Sequence, residues 1–400
     1  MRNSGGNWFF SLGVSFVRRV AIAGVGCTKV GELWNRSLKE LAVESALKAM
    51  DDARIGKIDF VYVGNAFSPV LQGQVNLGSI LVDSLGFKQV SAVCIEAADA
   101  SGGLAFHEGF KAVKFGYADV VLITGVEKMS DTPSPEAFRA LMACEDQEYV
   151  AYTGINQAGL HALILRLYME KFRVEHEEVA MFAVNAHKNS SNNVYAQFRN
   201  PLTVEDVLNS PLLADPLRLL ESSTLADGSA SVVLCPLEMA EKIIHRPIEV
   251  LASQTATDKL FLTERDNILT FDSTRVAAEK AFEEAHITRS DVNVVEIHDT
   301  STILGVISLE DLGFVEKGKG ASFVAEGNIA VDGRLPTNTM GGLKGRGHPA
   351  SATGIYQIVE LSWQLRGDAG KNQVKHAEIG LAHNMGGVGS QASVTILRSV

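Results

Sequence analysis

The chain has 400 residues, of which 46% are hydrophobic and 21% are charged, and its formal net charge is −11. These values are typical of a globular protein of roughly two or three domains and exclude a disordered or fibrous chain. The longest run of basic residues is Arg18-Arg19, which argues against a nucleic-acid partner because neutralising phosphates requires a basic surface. Apolar segments fall short of the roughly 20 residues that span a bilayer, so we expect no membrane partner.

The four cysteines, Cys27, Cys94, Cys144 and Cys235, are widely separated and form no Cys/His cluster with the spacing of metal ligands. This pattern predicts reduced thiols in the cytoplasm, without disulfides and without a bound metal. Residues 1–17 contain a short apolar stretch but no small-residue cleavage site, so we expect a frayed extension rather than a targeting signal.

Short apolar runs bounded by glycine alternate along the chain with longer segments of helical periodicity. This alternation indicates an α/β protein with a buried sheet. The first apolar run is VAIAGV at 20–25, which predicts a buried strand.

The sequence also repeats itself. ALKAMDDARI at 46–55 aligns without gaps with AEKAFEEAHI at 278–287, and a predicted strand follows each segment. A glycine-containing helix start and an apolar strand then recur in both halves, and the halves close with the similar strands ASVVLC (230–235) and ASVTIL (392–397). Because four elements recur in the same order, we predict two homologous α/β halves.

The repeat suggests a division of the chain into three parts. We predict an N-terminal half formed by residues 18–130 and 218–246, and a C-terminal half formed by residues 247–400. Residues 131–217 are largely helical and polar in pattern, and we expect them to form an insertion that serves as a lid or as a ligand-binding subdomain.

A first candidate site residue, Asp99, follows the apolar run SAVCIE and begins a predicted helix in the segment EAADASGG. In open α/β sheets, ligands bind at the carboxyl ends of the strands. Aspartate is also one of the preferred N-cap residues of helices. The sequence therefore leaves two interpretations open, a helix cap or a group that faces the ligand.

Three histidines also stand at predicted strand ends or helix starts. His348 precedes Pro349, which suits a first helical position, so the imidazole stands at a helix entrance. His298 and Thr300 end the strand VNVVEI, and His383 begins the segment HNMGGVG, whose glycines expose amides suited to an oxyanion hole. Each histidine alone has a structural interpretation, but their equivalent places in the repeat favour a common site.

From about Val20 to its end, the sequence resembles the thiolase superfamily, in particular the archaeal and sterol-carrier-protein-2-like thiolases. The motifs that carry the resemblance are EAADASGG, EIHDTST, NTMGGLKGRGHPASATG, HNMGGVG and NSSNNVYAQFRNPLTVEDV. The resemblance implies the thiolase fold, a duplicated, five-layered αβαβα arrangement with an inserted loop domain that binds CoA.

The resemblance also implies ligands and partners. Coenzyme A or an acyl-CoA is expected as substrate or ligand, with no covalently bound cofactor. Members of the family form homodimers or homotetramers. Archaeal thiolases associate with a small OB-fold protein of the DUF35 type and with a hydroxymethylglutaryl-CoA synthase, which are therefore the expected protein partners.

By resemblance, His348 activates the nucleophile and lines the oxyanion hole of the thioester carbonyl, and His298 supports the same hole. The amides around Met385 and Gly386, together with the amide of residue 99, resemble a second hole for the acyl-enzyme. Residues that hold the CoA itself are not assigned.

The sequence departs from the family at the nucleophile, because Asp99 stands where the family pattern EAACASGG has a cysteine. The two positions at which the family has a second thiol correspond to Thr300 and His383. A carboxylate is a weak nucleophile, and its acyl product is an anhydride of higher energy than a thioester. Cysteine-dependent thiolysis or Claisen condensation is therefore not expected.

Three functions remain open at this point. In the first, Asp99 acts as a general base in non-covalent C–C bond chemistry on an acyl-CoA, as in thiolase-like aldolases that lack the cysteine. In the second, the chain is a pseudoenzyme, a non-catalytic subunit of a thiolase-type complex. The third is a residual acyl transfer by Cys94 or another thiol.

Overall fold

The computed structural model describes residues 17–400, so the expectation for residues 1–16 lies outside the described residues. The strands are β1 (Val20–Cys27), β2 (Phe60–Gly64), β3 (Ser91–Ile95), β4 (Val121–Glu127), β5 (Leu212–Ala214), β6 (Leu217–Arg218), β7 (Gly228–Pro236), β8 (Ile248–Thr257), β9 (Val294–Glu296), β10 (Ile379–Gly386) and β11 (Gln391–Ser399). The helices are α1 (Leu38–Ala53), α2 (Ser68–Leu71), α3 (Leu77–Ser84), α4 (Ser101–Lys114), α5 (Ser134–Leu141), α6 (Gln157–Phe172), α7 (His176–Ser190), α8 (Val204–Leu208), α9 (Leu237–Ile243), α10 (Asp272–Ala285), α11 (Thr302–Asp311), α12 (Gly320–Ala325), α13 (Gly342–Gly345) and α14 (Thr353–Arg366).

The strands of the two halves follow the same order. In the N-terminal half the order is β3-β2-β4-β7-β1, and in the C-terminal half it is β9-β10-β11-β8, which corresponds to β2-β4-β7-β1; β3 has no counterpart among the described strands of the C-terminal half. Strand β1 of the N-terminal half pairs antiparallel with β8 of the C-terminal half, with Val20 opposite Val250. This pair joins the halves into one sheet whose outer edges are β3 and β9. The repeated segments ASVVLC and ASVTIL form β7 and β11, which occupy equivalent places. The predicted duplication is therefore confirmed.

Helices separate and cover the two half-sheets. Helices α4 and α14 contact each other and strands of both halves, and so form a central layer. Helix α1 packs on β1, β4 and β7, whereas α10 packs on β8 and β11. The predicted five-layered αβαβα arrangement is confirmed, because each half-sheet has the central helices on one face and its own helices on the other.

Small residues let the two central helices meet at their starts. A Cβ atom on Gly102 would lie 2.4 Å from the carbonyl oxygen of Ser351, and one on Gly354 would lie 2.5 Å from the amide nitrogen of Gly103. Only glycine permits so close an approach at these positions. This contact brings the segments that precede α4 and α14 side by side.

The segment between β4 and β7 contains α5–α8 and the small β5–β6 sheet. Helices α6 and α7 of this segment pack against α11, and α7 also packs against α12 and α13. Helices α6 and α7 therefore lie over the C-terminal half, whereas α5 packs against α2 of the N-terminal half. None of the helices in residues 17–400 combines the length and apolar character needed to cross a bilayer.

Candidate active site

Asp99 lies on a strained corner between β3 and α4. The preceding residue, Ala98, has a φ of +51°, a left-handed conformation that is costly for a residue with a side chain. Two serines stabilise this corner. The hydroxyl of Ser101 accepts from the Ala97 amide at 2.9 Å and donates to the Ala98 carbonyl, to which the Ser351 hydroxyl also donates at 3.2 Å.

The carboxylate of Asp99 faces His348 and does not cap α4. The N-cap of α4 is Ala100, with no side-chain hydrogen bond, so the capping interpretation is wrong. Asp99 is only 2% exposed, and its Oδ1 has no hydrogen-bond partner among the described residues. Nε2 of His348 lies 3.4 Å from Oδ1, at ion-pair distance but outside hydrogen-bond geometry. Because Asp99 does not cap the helix, its Oδ1 atom faces the imidazole of His348 instead.

His348 is held by its backbone and by its second ring nitrogen. Its amide donates to the Thr224 carbonyl at 3.3 Å, and its Nδ1 lies 2.9 Å from Oγ1 of Thr353. The prediction that Pro349 begins the helix is wrong, because a 3₁₀ turn (Ala350–Ala352) intervenes and α14 begins at Thr353. This tighter turn is closed by the Ala352 amide, which donates to the Pro349 carbonyl at 2.7 Å.

His298 presents an N–H donor to the same site. The side-chain amide of Asn384 donates to Nδ1 of His298 at 3.0 Å, and its oxygen accepts from the Gly103 amide at 3.2 Å. A neutral imidazole that accepts at Nδ1 has its proton on Nε2, which is buried and without a partner in the described residues. Burial, and next the nearby His348, lower the pKa of His298 well below its usual value, so the ring is neutral.

The three groups come close enough for metal binding to be considered. Ligand-type atoms of Asp99, His298 and His348 lie within 4.8 Å of one another. A metal ligand must offer a lone pair, however, and in this hydrogen-bond network Nε2 of His298 carries a proton. The donor set therefore fits a metal only after a change of tautomer. As it stands, the site combines a carboxylate that can accept a proton with an N–H group that can donate to an oxyanion, so it suits proton transfer and stabilisation of an oxyanion.

A cavity of about 240 Å³ opens beside His348. Thr300 lines it, with an Oγ1 atom that has no partner in the described part of the chain. His161 of α6 lines it as well, and burial lowers the pKa of this histidine to about 4. His161 was not predicted from the sequence, although it lies on a helical stripe of buried residues with Ile164 and Tyr168.

The structure does not bring His383 into the site. Its side chain lies on the other face of β10, where Nε2 is 2.9 Å from Oγ1 of Thr274 in α10. Burial lowers the pKa of His383 to about 3. Because alternate residues of a strand face opposite sides of the sheet, the next residue, Asn384, faces the central helices instead. Asn384 was not predicted from the sequence as a site residue.

Gly386 and Met385 end β10 near the Asp99 corner. A Cβ atom on Gly386 would lie 2.6 Å from the carbonyl oxygen of Ala97, so the strand end contacts this corner directly. The side chain of Met385 is buried in the core of the C-terminal half. The roles of the backbone amides at these positions remain predictions.

The pKa values of the four cysteines are raised, which is the opposite of what a reactive thiol requires. Burial raises the pKa of Cys94 and of Cys235 to about 11. Burial, and next the charge of Asp99, raise the pKa of Cys144 well above its usual value, and burial also raises the pKa of Cys27. Since the thiolate is the reactive form, these environments disfavour nucleophilic chemistry at sulfur.

The fold and site define a class of proteins with two homologous α/β halves, whose polar residues meet where two central helices begin. Residues 17–238 match the family described as "Thiolase, N-terminal domain", and residues 254–399 match "Thiolase C-terminal domain-like". The chain therefore belongs to the thiolase family.

Relatives over the full chain agree with this assignment. An acetyl-CoA acetyltransferase of Methanothermobacter thermautotrophicus is 44% identical, over 95% of this chain and 99% of the relative. Human sterol carrier protein 2 is 32% identical, over 96% of this chain and 72% of the relative. The solved structure of an "Ltp2-ChsH2(DUF35) aldolase" has a TM-score of 0.83 at 23% identity, over 96% of this chain and 99% of that chain, and shares the fold.

Proposed function

We propose that this chain binds an acyl-CoA and catalyses non-covalent C–C bond chemistry beside the thioester, with Asp99 as the general base. The observation that carries the proposal is the buried Oδ1 of Asp99, which has no hydrogen-bond partner among the described residues and lies 3.4 Å from Nε2 of His348. Thiolase family membership supports a CoA thioester as the substrate. We infer that Asp99 takes the place of the family's nucleophilic cysteine.

A retro-aldol cleavage of a 3-hydroxyacyl-CoA uses these groups without a covalent intermediate. Asp99 takes the proton of the 3-hydroxyl group, the C2–C3 bond breaks, and an aldehyde leaves. The electron pair moves to the thioester enolate, whose oxygen accepts a hydrogen bond from Nε2 of His298. Return of the proton from Asp99 to C2 gives the shortened acyl-CoA, so atoms and electrons balance.

The proposal also covers the protein partners, the assembly, the location and the CoA-binding segment of this chain. The structural neighbour described as an Ltp2-ChsH2(DUF35) aldolase supports a small OB-fold partner of the DUF35 type for this chain. A hydroxymethylglutaryl-CoA synthase is a second proposed partner. We also propose a cytoplasmic homodimer or homotetramer that acts in lipid metabolism, with residues 131–217 as the CoA-binding inserted domain.

The exchange Asp99→Asn tests the general base. We expect it to lower kcat for cleavage of a 3-hydroxyacyl-CoA by about 100-fold or more, because the amide cannot accept the hydroxyl proton. Mass spectrometry of the shortened acyl-CoA measures the reaction, with and without a DUF35-type partner. The control is Asp266→Asn, whose side chain is 89% exposed and which should retain full activity.

Other outcomes would select a different function. If the wild-type protein binds acyl-CoA but cleaves none of it, even with its partner, the chain is a non-catalytic subunit. Acyl transfer that survives Asp99→Asn and is lost in Cys94→Ser would instead indicate cysteine chemistry. Equal turnover by the wild type and the Asp99→Asn variant would contradict the role of Asp99.

A further inference from the structure

We propose that His161 and Thr300 form an oxygen-binding subsite that selects acyl-CoA esters with an uncharged 3-hydroxyacyl group; this inference rests on the function proposed above. The two residues come from distant parts of the chain. His161 belongs to α6 of the inserted segment, and Thr300 lies in the loop between β9 and α11. Both residues line the cavity that His348 also lines, so a ligand bound in this cavity beside His348 would lie near His161 and Thr300.

Each side chain has a polar atom that no described residue hydrogen-bonds. His161 is 4% exposed and Thr300 is 9% exposed. Nδ1 of His161 and Oγ1 of Thr300 have no partner within residues 17–400. A buried polar atom without a partner is costly in free energy, and a ligand oxygen within hydrogen-bond distance of these atoms would remove this cost. The subsite is therefore suited to an oxygen of the substrate.

The surroundings favour a hydroxyl group over a carboxylate. Among the described residues, the cavity has no Lys, Arg, Asp or Glu in its lining. Burial lowers the pKa of His161 to about 4, so this ring is neutral at pH 7 and offers a substrate anion no counter-charge. Much of the remaining wall is apolar and includes Leu141, Leu213 and Leu225. We infer a substrate with an apolar chain and a single hydroxyl group near the thioester.

Three six-carbon esters test this selectivity: hexanoyl-CoA, 3-hydroxyhexanoyl-CoA and adipoyl-CoA. Calorimetry in the Asp99→Asn background measures their binding without turnover. We expect the hydroxylated ester to bind about tenfold more tightly than hexanoyl-CoA, since it satisfies the unpaired groups. Adipoyl-CoA should bind more weakly than hexanoyl-CoA, because its carboxylate would be buried without a cation.

Variants of His161 and Thr300 test whether these two residues cause the preference for the hydroxylated ester. His161→Phe and Thr300→Val should each bring the affinity ratio of 3-hydroxyhexanoyl-CoA to hexanoyl-CoA close to one, whereas Thr300→Ser should keep the preference. Leu219→Ala is the matched control in the same cavity. It removes apolar contact only, so it should weaken both esters equally and leave their ratio unchanged.

The outcomes separate this inference from the proposed function. If the esters bind with a ratio near one, or if the ratio is unchanged in both His161→Phe and Thr300→Val, the subsite does not exist, even where Asp99→Asn abolishes cleavage. If none of the three esters binds, the subsite and the acyl-CoA function fall together. A preference for adipoyl-CoA would overturn the uncharged substrate class.

Discussion

Asn384 determines which nitrogen of His298 carries the proton, and so whether the site has an oxyanion donor. It is itself fixed by the Gly103 amide at the start of α4, which donates to its oxygen at 3.2 Å. Because the oxygen of Asn384 is held in this way, its NH2 group is the part that faces Nδ1 of His298, to which it donates at 3.0 Å. In the proposed mechanism Asn384 is a positioning residue, because it would act on the substrate through His298.

The exchange Asn384→Ala should lower kcat by about 100-fold, the usual effect of losing one oxyanion donor, with a small change in KM. Nitrogen-15 NMR should then show His298 with its proton shared between both ring positions. Asn372→Ala removes another buried amide, one that donates to the Asn189 carbonyl at 2.8 Å, and should leave kcat unchanged. A wild-type kcat in Asn384→Ala, or a fixed Nε2 tautomer, would contradict this role.

The sequence predicted a common site for Asp99, His348 and His298 because they stand at strand ends and helix starts, and the structure brings these three side chains together. It could not decide between His383 and Asn384, since period-two alternation shows that neighbours face opposite sides but does not show which side is the site. Small residues alternate with large ones along β10, at Gly380, Ala382 and Gly386. This alternation indicates which face of the strand packs against the central helices, and it places Asn384 on that face. His161 was missed because the path of the inserted segment depends on long-range packing.

At the scale of elements, α1 shows how closely helices approach the sheet. Its start has a capping box, in which the Ser37 hydroxyl accepts from the Glu40 amide. Along its length α1 lies directly over β1. A Cβ atom on Gly24 would be 2.2 Å from the Ala49 carbonyl oxygen and 2.4 Å from the Ala53 amide nitrogen. These clashes are with backbone atoms, which no side-chain rotation can relieve.

Gly24→Ala should therefore force α1 away from β1 and lower the free energy of unfolding by about 3 kcal/mol. Urea denaturation measures the change. The matched control is Gly56→Ala, because a Cβ atom at Gly56 meets no atom within 4 Å. There the exchange should be neutral or stabilise by less than about 1 kcal/mol. Equal midpoints for the two variants would show that α1 is less closely packed against β1 than these distances require.

The helices and strands of the core could be predicted from the sequence more reliably than the residues at which they begin and end. The repeat predicted α1 and α10 as equivalents, because helix periodicity and the strand that follows each are local signals. The 3₁₀ turn before α14 was not predicted, since proline at 349 fits an α-helical start equally well. Its geometry depends on tertiary contacts, including the bond from the Ser351 hydroxyl to the Ala98 carbonyl.

At the scale of the whole molecule, the N-terminal half ends in an open sheet edge. Among the described strands, β3 pairs only with β2, and its other side offers free backbone groups. Its side chains are largely accessible, with Val93 44% exposed and Cys94 exposed. Exposed edge strands readily pair with another chain. We therefore propose that two copies of this chain join through β3.

The exchange Val93→Lys tests this interface. If two β3 strands pair, the exchange places two like charges near each other across the contact, which disfavours pairing. Sedimentation equilibrium should show a dimer or tetramer for the wild type and smaller species for the variant at the same concentration. Val194→Lys, at a site that is 63% exposed in the inserted segment, should leave the assembly unchanged. A monomeric wild type, or equal masses for the wild type and Val93→Lys, would rule out assembly through β3.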